Sequence, residues 1–168
     1  MKVYVDFDGV ILDTDSVIDI EFNGVGSRRD FVRDYDWFNL MRDDLIINNS
    51  LYYIKNSKYN ISLLSKISSM CEGQAKIKYL RSRDVLININ LVPTCIDKCD
   101  VVSASSNVLI DDKLVNLDSW SKRGGISIFF NKNGDDTDIH GDKNKNYPMI
   151  SDLSCLINGI DEIIKKRV

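Results

Sequence analysis

The chain has 168 residues, of which 43% are hydrophobic and 28% are charged, as expected for one globular domain. Its net charge of −3 and pI near 5.1 argue against bulk electrostatic capture of polymeric nucleic acid or of an anionic membrane. No run approaches the roughly twenty apolar residues of a transmembrane helix, and Asp6 interrupts the first apolar stretch, so no signal peptide is predicted. A cytoplasmic location is expected, with reduced cysteines and with the single histidine, His140, on the surface.

The first predicted element is a central strand over residues 2–7 that runs into two carboxylates, Asp6 and Asp8. Side chains alternate along a strand, so both acids point to the same side. Two carboxylates in one pocket repel each other unless a cation compensates them, and oxygen ligands favour Mg²⁺. The metal leaves one carboxylate available as a nucleophile. Gly9 lets the backbone turn tightly after the pair and approach a ligand closely.

Residues 14–57 change to helical spacing and are predicted to form a small helical cap, with residues 1–13 and 58–168 as the catalytic core. The alternative is that one of these helices is the first crossover of the sheet. Aromatic residues cluster in this segment, where rings at a pocket mouth would stack on a nucleobase. Trp37 and Phe38 are the first candidates, because adjacent bulky residues on one helix do not face the same core. The competing interpretation is that such aromatic residues form the core between cap helices.

After Asn60, apolar strands alternate with helical stretches, which predicts a three-layer α/β/α fold with a parallel sheet and right-handed crossovers. A polar stretch over residues 131–148 is predicted to be a loop, and the apolar spacing from Ile150 to Ile164 predicts an amphipathic C-terminal helix. The predicted strands cover 61–64, 85–91, 108–110 and 126–130, and a helix is predicted over 70–83.

Polar residues follow several of these strands. Ser65 follows the strand at 61–64, Asp111 and Asp112 follow the strand at 108–110, and Lys98 lies a short way before that strand. The carboxyl ends of parallel strands gather along one edge of a sheet, and ligands bind in the crevice there. Both acid pairs are therefore expected to converge on one site.

In this order the four motifs resemble those of the haloacid dehalogenase superfamily of phosphotransferases. Its first motif corresponds to the segment from Asp6 to Val10, its second to Ser65, its third to Lys98, and its fourth to the pair Asp111 and Asp112. The resemblance implies a Rossmann-like core with a cap inserted after the first strand. It also implies a Mg²⁺-dependent phosphatase that works through an aspartyl-phosphate intermediate.

The resemblance also implies roles for the motif residues. Asp6 is expected to attack phosphorus, and Asp8 to act as general acid and then general base. Asp6, the main-chain carbonyl of Asp8 and Asp112 are expected to hold the Mg²⁺ ion, with Asp111 acting from the outer shell. Ser65 would donate its hydroxyl to a phosphate oxygen, and Lys98 would supply further positive charge.

Within the superfamily the sequence is most similar to the 5'(3')-deoxyribonucleotidases, through the segment Val108 to Lys113, Trp120 and the Gly124-Gly125 step into the next strand. This likeness implies a nucleoside monophosphate as substrate. The acidic net charge predicts that neither a membrane nor a nucleic-acid polymer is a partner. Lys66 stands where relatives often carry a proline or a small residue, and it joins Ser65 as a predicted substrate-binding residue. The oligomeric state is left open.

Two alternatives compete with the nucleotidase interpretation. The first keeps the chemistry but replaces the substrate by a sugar phosphate or another small phosphorylated metabolite. The second is a receiver-like signalling domain, which accepts phosphate on an aspartate without turnover. In such a domain the acceptor is expected on a middle strand and the lysine late in the chain. Here Lys98 precedes the second acid pair, which disfavours a receiver.

Overall fold

The computed structural model describes residues 1–134 and 147–165, so most of the predicted loop at 131–148, with His140, lies outside the described residues. The described residues form a six-stranded, entirely parallel sheet in the order β3-β2-β1-β4-β5-β6. This confirms the predicted α/β fold class. The strands are β1 (Val3–Val5), β2 (Ile61–Ile67), β3 (Asn88–Pro93), β4 (Val108–Asp111), β5 (Ile126–Phe130) and β6 (Met149–Ile150).

Helices connect the strands and cover the sheet. None of the helices in the described part of the chain is long and apolar enough to cross a bilayer. They are α1 (Thr14–Glu21), α2 (Arg28–Asp34), α3 (Trp37–Leu40), α4 (Ser50–Lys55), α5 (Met70–Arg81), α6 (Lys98–Val101), α7 (Leu114–Lys122), α8 (Cys155–Asn158) and α9 (Asp161–Lys165), with a short 3-10 helix at Asp43–Leu45.

Both faces of the sheet are buried, which explains the continuous apolar character of its strands. Val3 and Val5 lie in a core cluster on one face, and Tyr4 lies in a second cluster on the other face, packed edge to face against Trp120 of α7. β1 lies between β2 and β4, so its carboxyl end has a strand end on either side. This arrangement brings the predicted motif residues to one edge.

Residues 14–45 carry a separate, smaller apolar cluster. Ile18, Trp37 and Leu40 pack together and against Ala75 of α5, so the helices α1 to α3 cover the carboxyl edge of the sheet from one side. In contrast, Leu51 and Ile54 of α4 belong to the main core. The packing of α4 matches the alternative of a first sheet crossover, and the division of the chain into core and cap stays a prediction.

The prediction of a single helix from Ile150 to Ile164 is wrong. Met149 and Ile150 extend the sheet as β6, and the following apolar residues form two short helices, α8 and α9. Gly159 separates the helices with a φ of 134°, a backbone conformation that an α-helix does not contain. Leu153, Leu156 and Ile160 nevertheless reach the main core, as their apolar character requires.

Candidate active site

Asp6 and Asp8 lie where β1 leaves the sheet. The Asp6 main-chain amide donates to the carbonyl of Ile110 (3.0 Å), and the Asp6 side chain accepts from the amide of Phe7 (2.8 Å). The chain then turns at Gly9, whose φ is +72°. A Cβ atom at this position would collide with the carboxylate of Asp112. Gly9 therefore permits both the turn and the close approach of the second acid pair.

Lys98 is buried between two carboxylates. It begins α6, and its Nζ lies 3.0 Å from Asp6 Oδ2 and 2.6 Å from Asp111 Oδ2. Burial alone would lower the pKa of Lys98, but the carboxylates of Asp111 and Asp6 outweigh it and raise the pKa. The lysine therefore stays charged and ties the end of β1 to the end of β4.

Asp111 and Asp112 have different environments. Asp111 is fully buried and accepts hydrogen bonds from the amide of Lys113 (2.8 Å), from Asn116 Nδ2 (3.0 and 3.1 Å) and from Lys98. Asp112 contacts Lys113 Nζ through Oδ2 (3.0 Å), whereas its buried Oδ1 has no hydrogen-bond partner among the residues that the structure describes. Burial raises the pKa of Asp112 to about 7, and Lys113 opposes the rise.

The carboxylates of Asp6, Asp111 and Asp112 offer oxygen atoms that all lie within 4.8 Å of one another. A buried carboxylate oxygen without a partner is costly, and a cation removes that cost. Because Asp111 is already saturated by donors, Asp6 and Asp112 are the side chains with ligand capacity. These residues fit the Mg²⁺ ion that the sequence predicts.

Asp8, which was also predicted to contact the metal, has its carboxylate in a different set of contacts. Its Oδ1 accepts from Thr14 Oγ1 of α1 (2.7 Å), and its Oδ2 accepts from Lys76 Nζ of α5 (2.5 Å). Only the main-chain carbonyl of Asp8 is left for the metal. Burial raises the pKa of Asp8, and the charge of Lys76 opposes the rise.

Lys76 is a site residue that the sequence analysis missed. Its side chain is completely buried, and Nζ also contacts Glu72 Oε1 (2.6 Å), Ser65 Oγ (3.1 Å) and the carbonyl of Lys66 (3.2 Å). Helix α5 is rich in basic residues, so its lysine side chains are expected from the sequence to be exposed to solvent. A signal was available, because Lys76 lies three and four residues before the buried Tyr79 and Leu80, on the apolar face of α5.

Ser65 lies in the same network. It is fully buried, and its hydroxyl contacts Lys76, Asp8 Oδ2 (3.5 Å) and the carbonyl of Lys66 (3.3 Å). In this structure Ser65 faces the Asp8 carboxylate rather than open space. Ser68, three residues further along the chain, instead lines the cavity above Asp6 and Asp8 that is described next. The binding of a phosphate oxygen by Ser65 stays a prediction.

A cavity of about 250 Å³, the catalytic cavity, opens over Asp6 and Asp8. Of the predicted substrate-binding residues, Lys66 and the buried Trp37 line it. Phe38 does not, because it points outward with 44% of its surface exposed and its ring beside Lys78. Lining residues that the sequence analysis did not select include Arg28, Glu72, Thr94, Lys113 and Asn116.

Comparisons with protein-family models and with curated proteins give no match. Solved structures with a similar fold include hydrolases. D,D-heptose 1,7-bisphosphate phosphatase from Burkholderia thailandensis is 16% identical with a TM-score of 0.59, covering 94% of this chain and 97% of that chain. A haloacid dehalogenase-like hydrolase from Burkholderia xenovorans LB400 is 13% identical with a TM-score of 0.57, covering 96% and 97%.

A dehalogenase is 15% identical with a TM-score of 0.53, covering 94% of this chain and 95% of that chain. At these identities the likeness establishes only that the chain shares the α/β fold of these structures, and membership of the haloacid dehalogenase superfamily stays a prediction of the motifs. Function has to be argued from the site. The closer likeness to 5'(3')-deoxyribonucleotidases stays a prediction.

Proposed function

We propose that this protein is a Mg²⁺-dependent phosphomonoester hydrolase that works through an aspartyl-phosphate intermediate. One observation carries the proposal. Asp6, at the end of the central strand, is held by the buried Lys98. Beside it lies Asp112, whose buried Oδ1 has no hydrogen-bond partner in the described part of the chain. A charged lysine and a cation together compensate the carboxylates, so that a phosphate dianion can enter.

In the first step a carboxylate oxygen of Asp6 bonds to phosphorus, and the ester P–O bond breaks. Asp8 gives its proton to the leaving alkoxide, which departs as an alcohol. In the second step Asp8 takes a proton from water, the water oxygen bonds to phosphorus, and the acyl-phosphate bond to Asp6 breaks. Inorganic phosphate leaves, and both carboxylates return to their starting states.

The surroundings of the two acids support these roles. Lys98 fixes one Asp6 oxygen, and Thr14 and Lys76 each fix one oxygen of Asp8, so both carboxylates are oriented before substrate arrives. Bound Mg²⁺, held by Asp6, Asp112 and the Asp8 carbonyl, would supply Lewis-acid stabilisation of charge on the phosphoryl oxygens.

The substrate proposed first is a nucleoside monophosphate. Trp37 supports it, because the indole lines the catalytic cavity next to the apolar side chains of Ile18 and Val32. A sugar phosphate is the second candidate, favoured by the fold shared with D,D-heptose 1,7-bisphosphate phosphatase.

The proposal is tested by phosphate release from nucleoside 5'- and 3'-monophosphates and from sugar phosphates, with Mg²⁺ or with chelator. Wild-type protein is expected to turn over at least one monoester with Mg²⁺, and both chelation and Asp6→Asn are expected to abolish release. Activity that survives both treatments would reject the mechanism. A stable phospho-adduct without released phosphate would favour the receiver-like alternative.

A further inference from the structure

The catalytic cavity continues into two further cavities along helix α2. The middle cavity has a volume of about 390 Å³ and shares Arg28, Val32, Ser68 and Thr94 with the catalytic cavity. The outer cavity, of about 460 Å³, shares Ser68 and Thr94 with both, and Arg29 with the middle one. The three cavities thus form a continuous groove that starts at Asp6 and Asp8 and runs between α2 and the ends of β2 and β3.

The charge of the lining side chains changes along this groove. Of the residues that the structure describes, four acids line the catalytic cavity and none lines the middle cavity, which instead carries Arg28 and Arg29. Arg28 is held by Asp19 (2.7 Å) and, more distantly, by Asp15 (3.7 Å). Arg29 makes no ion pair or hydrogen bond with any residue that the structure describes, and it is exposed to the groove.

Two hydroxyl groups face the arginines from the sheet edge. The main-chain amide of Ser68 donates to Glu72 Oε2 (2.6 Å), and that of Thr94 donates to the carbonyl of Ile67 (3.1 Å), so both backbones are fixed. Among the described residues, neither hydroxyl makes a hydrogen bond, which leaves both side chains available to a ligand. Guanidinium groups and hydroxyl donors around an acid-free cavity form an environment suited to a phosphate.

We infer that the middle cavity binds a second phosphoryl group of the substrate, so that, within either candidate class, nucleotides or sugars that carry two phosphates are preferred to those that carry one. This inference rests on the proposed function, because it assumes that the first phosphate is attacked by Asp6. One phosphate lies over the acid pairs and Lys98, and the other is bound by Arg29 and Arg28 with the hydroxyls of Ser68 and Thr94. The organic part then spans the junction at Val32, which both cavities share.

The test compares substrates that differ only in the second phosphate. Fructose 1,6-bisphosphate is compared with fructose 6-phosphate, and adenosine 3',5'-bisphosphate with adenosine 5'-monophosphate. In at least one pair, kcat/KM is expected to be at least about tenfold higher for the bisphosphate, as one charge-assisted phosphate contact implies. Arg29→Gln is expected to reduce this ratio about tenfold, and Lys55→Gln, which removes a charge from the distant and exposed end of α4, to leave it unchanged.

Calorimetric binding to Asp6→Asn tests the subsite without turnover. The bisphosphate is expected to bind about tenfold more tightly than its monophosphate, and Arg29→Gln in the same background is expected to remove the difference. Equal affinities within both pairs, or a ratio that Arg29→Gln leaves unchanged, would overturn the inference while phosphate release still supports the proposed function. Absence of any phosphate release, with the binding preference intact, would reject the proposed chemistry and retain the anion subsite.

Discussion

Replacing Lys76 by methionine tests how much the buried ion pairs of Lys76 with Asp8 and Glu72 contribute to the stability of the fold. The substitution preserves most of the side-chain volume but leaves the carboxylates of Asp8 and Glu72 without their shared cation. Two unit charges about 4 Å apart attract each other by about 4 kcal/mol at an effective dielectric of about 20, and burying the charges cancels a large part of that attraction. Removal of one partner of a buried pair typically costs about 3–5 kcal/mol. We therefore expect Lys76→Met to lower the free energy of unfolding by about 3–5 kcal/mol.

Equilibrium urea unfolding measures this loss, and the variant Lys78→Met is a matched control. Lys78 lies two residues further along the same helix but is exposed, so its substitution is expected to change stability by less than about 0.5 kcal/mol. Glu72→Gln in the Lys76→Met background removes one of the uncompensated carboxylates and is expected to recover part of the loss. The loss is also expected to be smaller at pH 5 than at pH 8, because the unpaired acids take up protons.

The same variant is expected to lower phosphate release, because Asp8 loses the cation that contacts its Oδ2 atom and helps to orient the carboxylate. A Lys76→Met protein as stable as Lys78→Met would refute the reasoning about the buried ion pairs. A stable variant with full activity would in addition remove Lys76 from the site.

Two further predictions concern the edge of the sheet where Mg²⁺ is proposed to bind. Without divalent cations, the free energy of unfolding is expected to fall by up to about 4 kcal/mol as the pH rises from about 4 to 8. Burial raises the pKa of Asp112 to about 7, so Asp112 stays protonated in the folded state at pH values where it has already lost its proton in the unfolded chain. Urea titrations at several pH values measure this fall. Asp112→Asn is expected to reduce the fall without removing it, because the pKa of Asp8 is also raised, and a rise in stability with pH would contradict the prediction. Gly9→Ala places a methyl group against Asp112 in a left-handed backbone conformation. The Mg²⁺ concentration for half-maximal phosphate release is therefore expected to increase at least about tenfold. An unchanged Mg²⁺ concentration would argue against metal binding by Asp112.

The sequence predicted the sheet and the residues at its edge, because these depend on local patterns. Continuous apolar runs next to acids identified the ends of β1 and β4, and parallel topology implied that Asp6 and Asp111 would meet there. The structure places Lys98 against both acids, and the role that the family resemblance implied for it stays a prediction. The prediction of one C-terminal helix was wrong because the apolar residues keep a helical spacing throughout the segment, whereas the backbone conformation at Gly159 interrupts the helix.

The arrangement around Asp8 was not predictable from spacing alone. Lys76 lies 68 residues from Asp8 in the chain, and only the packing of α5 beneath Trp37 and Phe7 brings its Nζ to the carboxylate. Likewise, no local pattern distinguishes Trp37, which packs into the cavity wall, from Phe38, which turns outward.

The amino-acid sequence by itself determined the parallel sheet and the acids at its carboxyl edge, because strand periodicity and the position of charges after apolar runs are properties of neighbouring residues. Only the tertiary structure decided which cation neutralises which acid and which aromatic ring borders the catalytic cavity. It also decided that the groove with Arg28 and Arg29 continues from that cavity. These depend on distances between segments far apart in the chain, which are set by how the helices pack on the sheet.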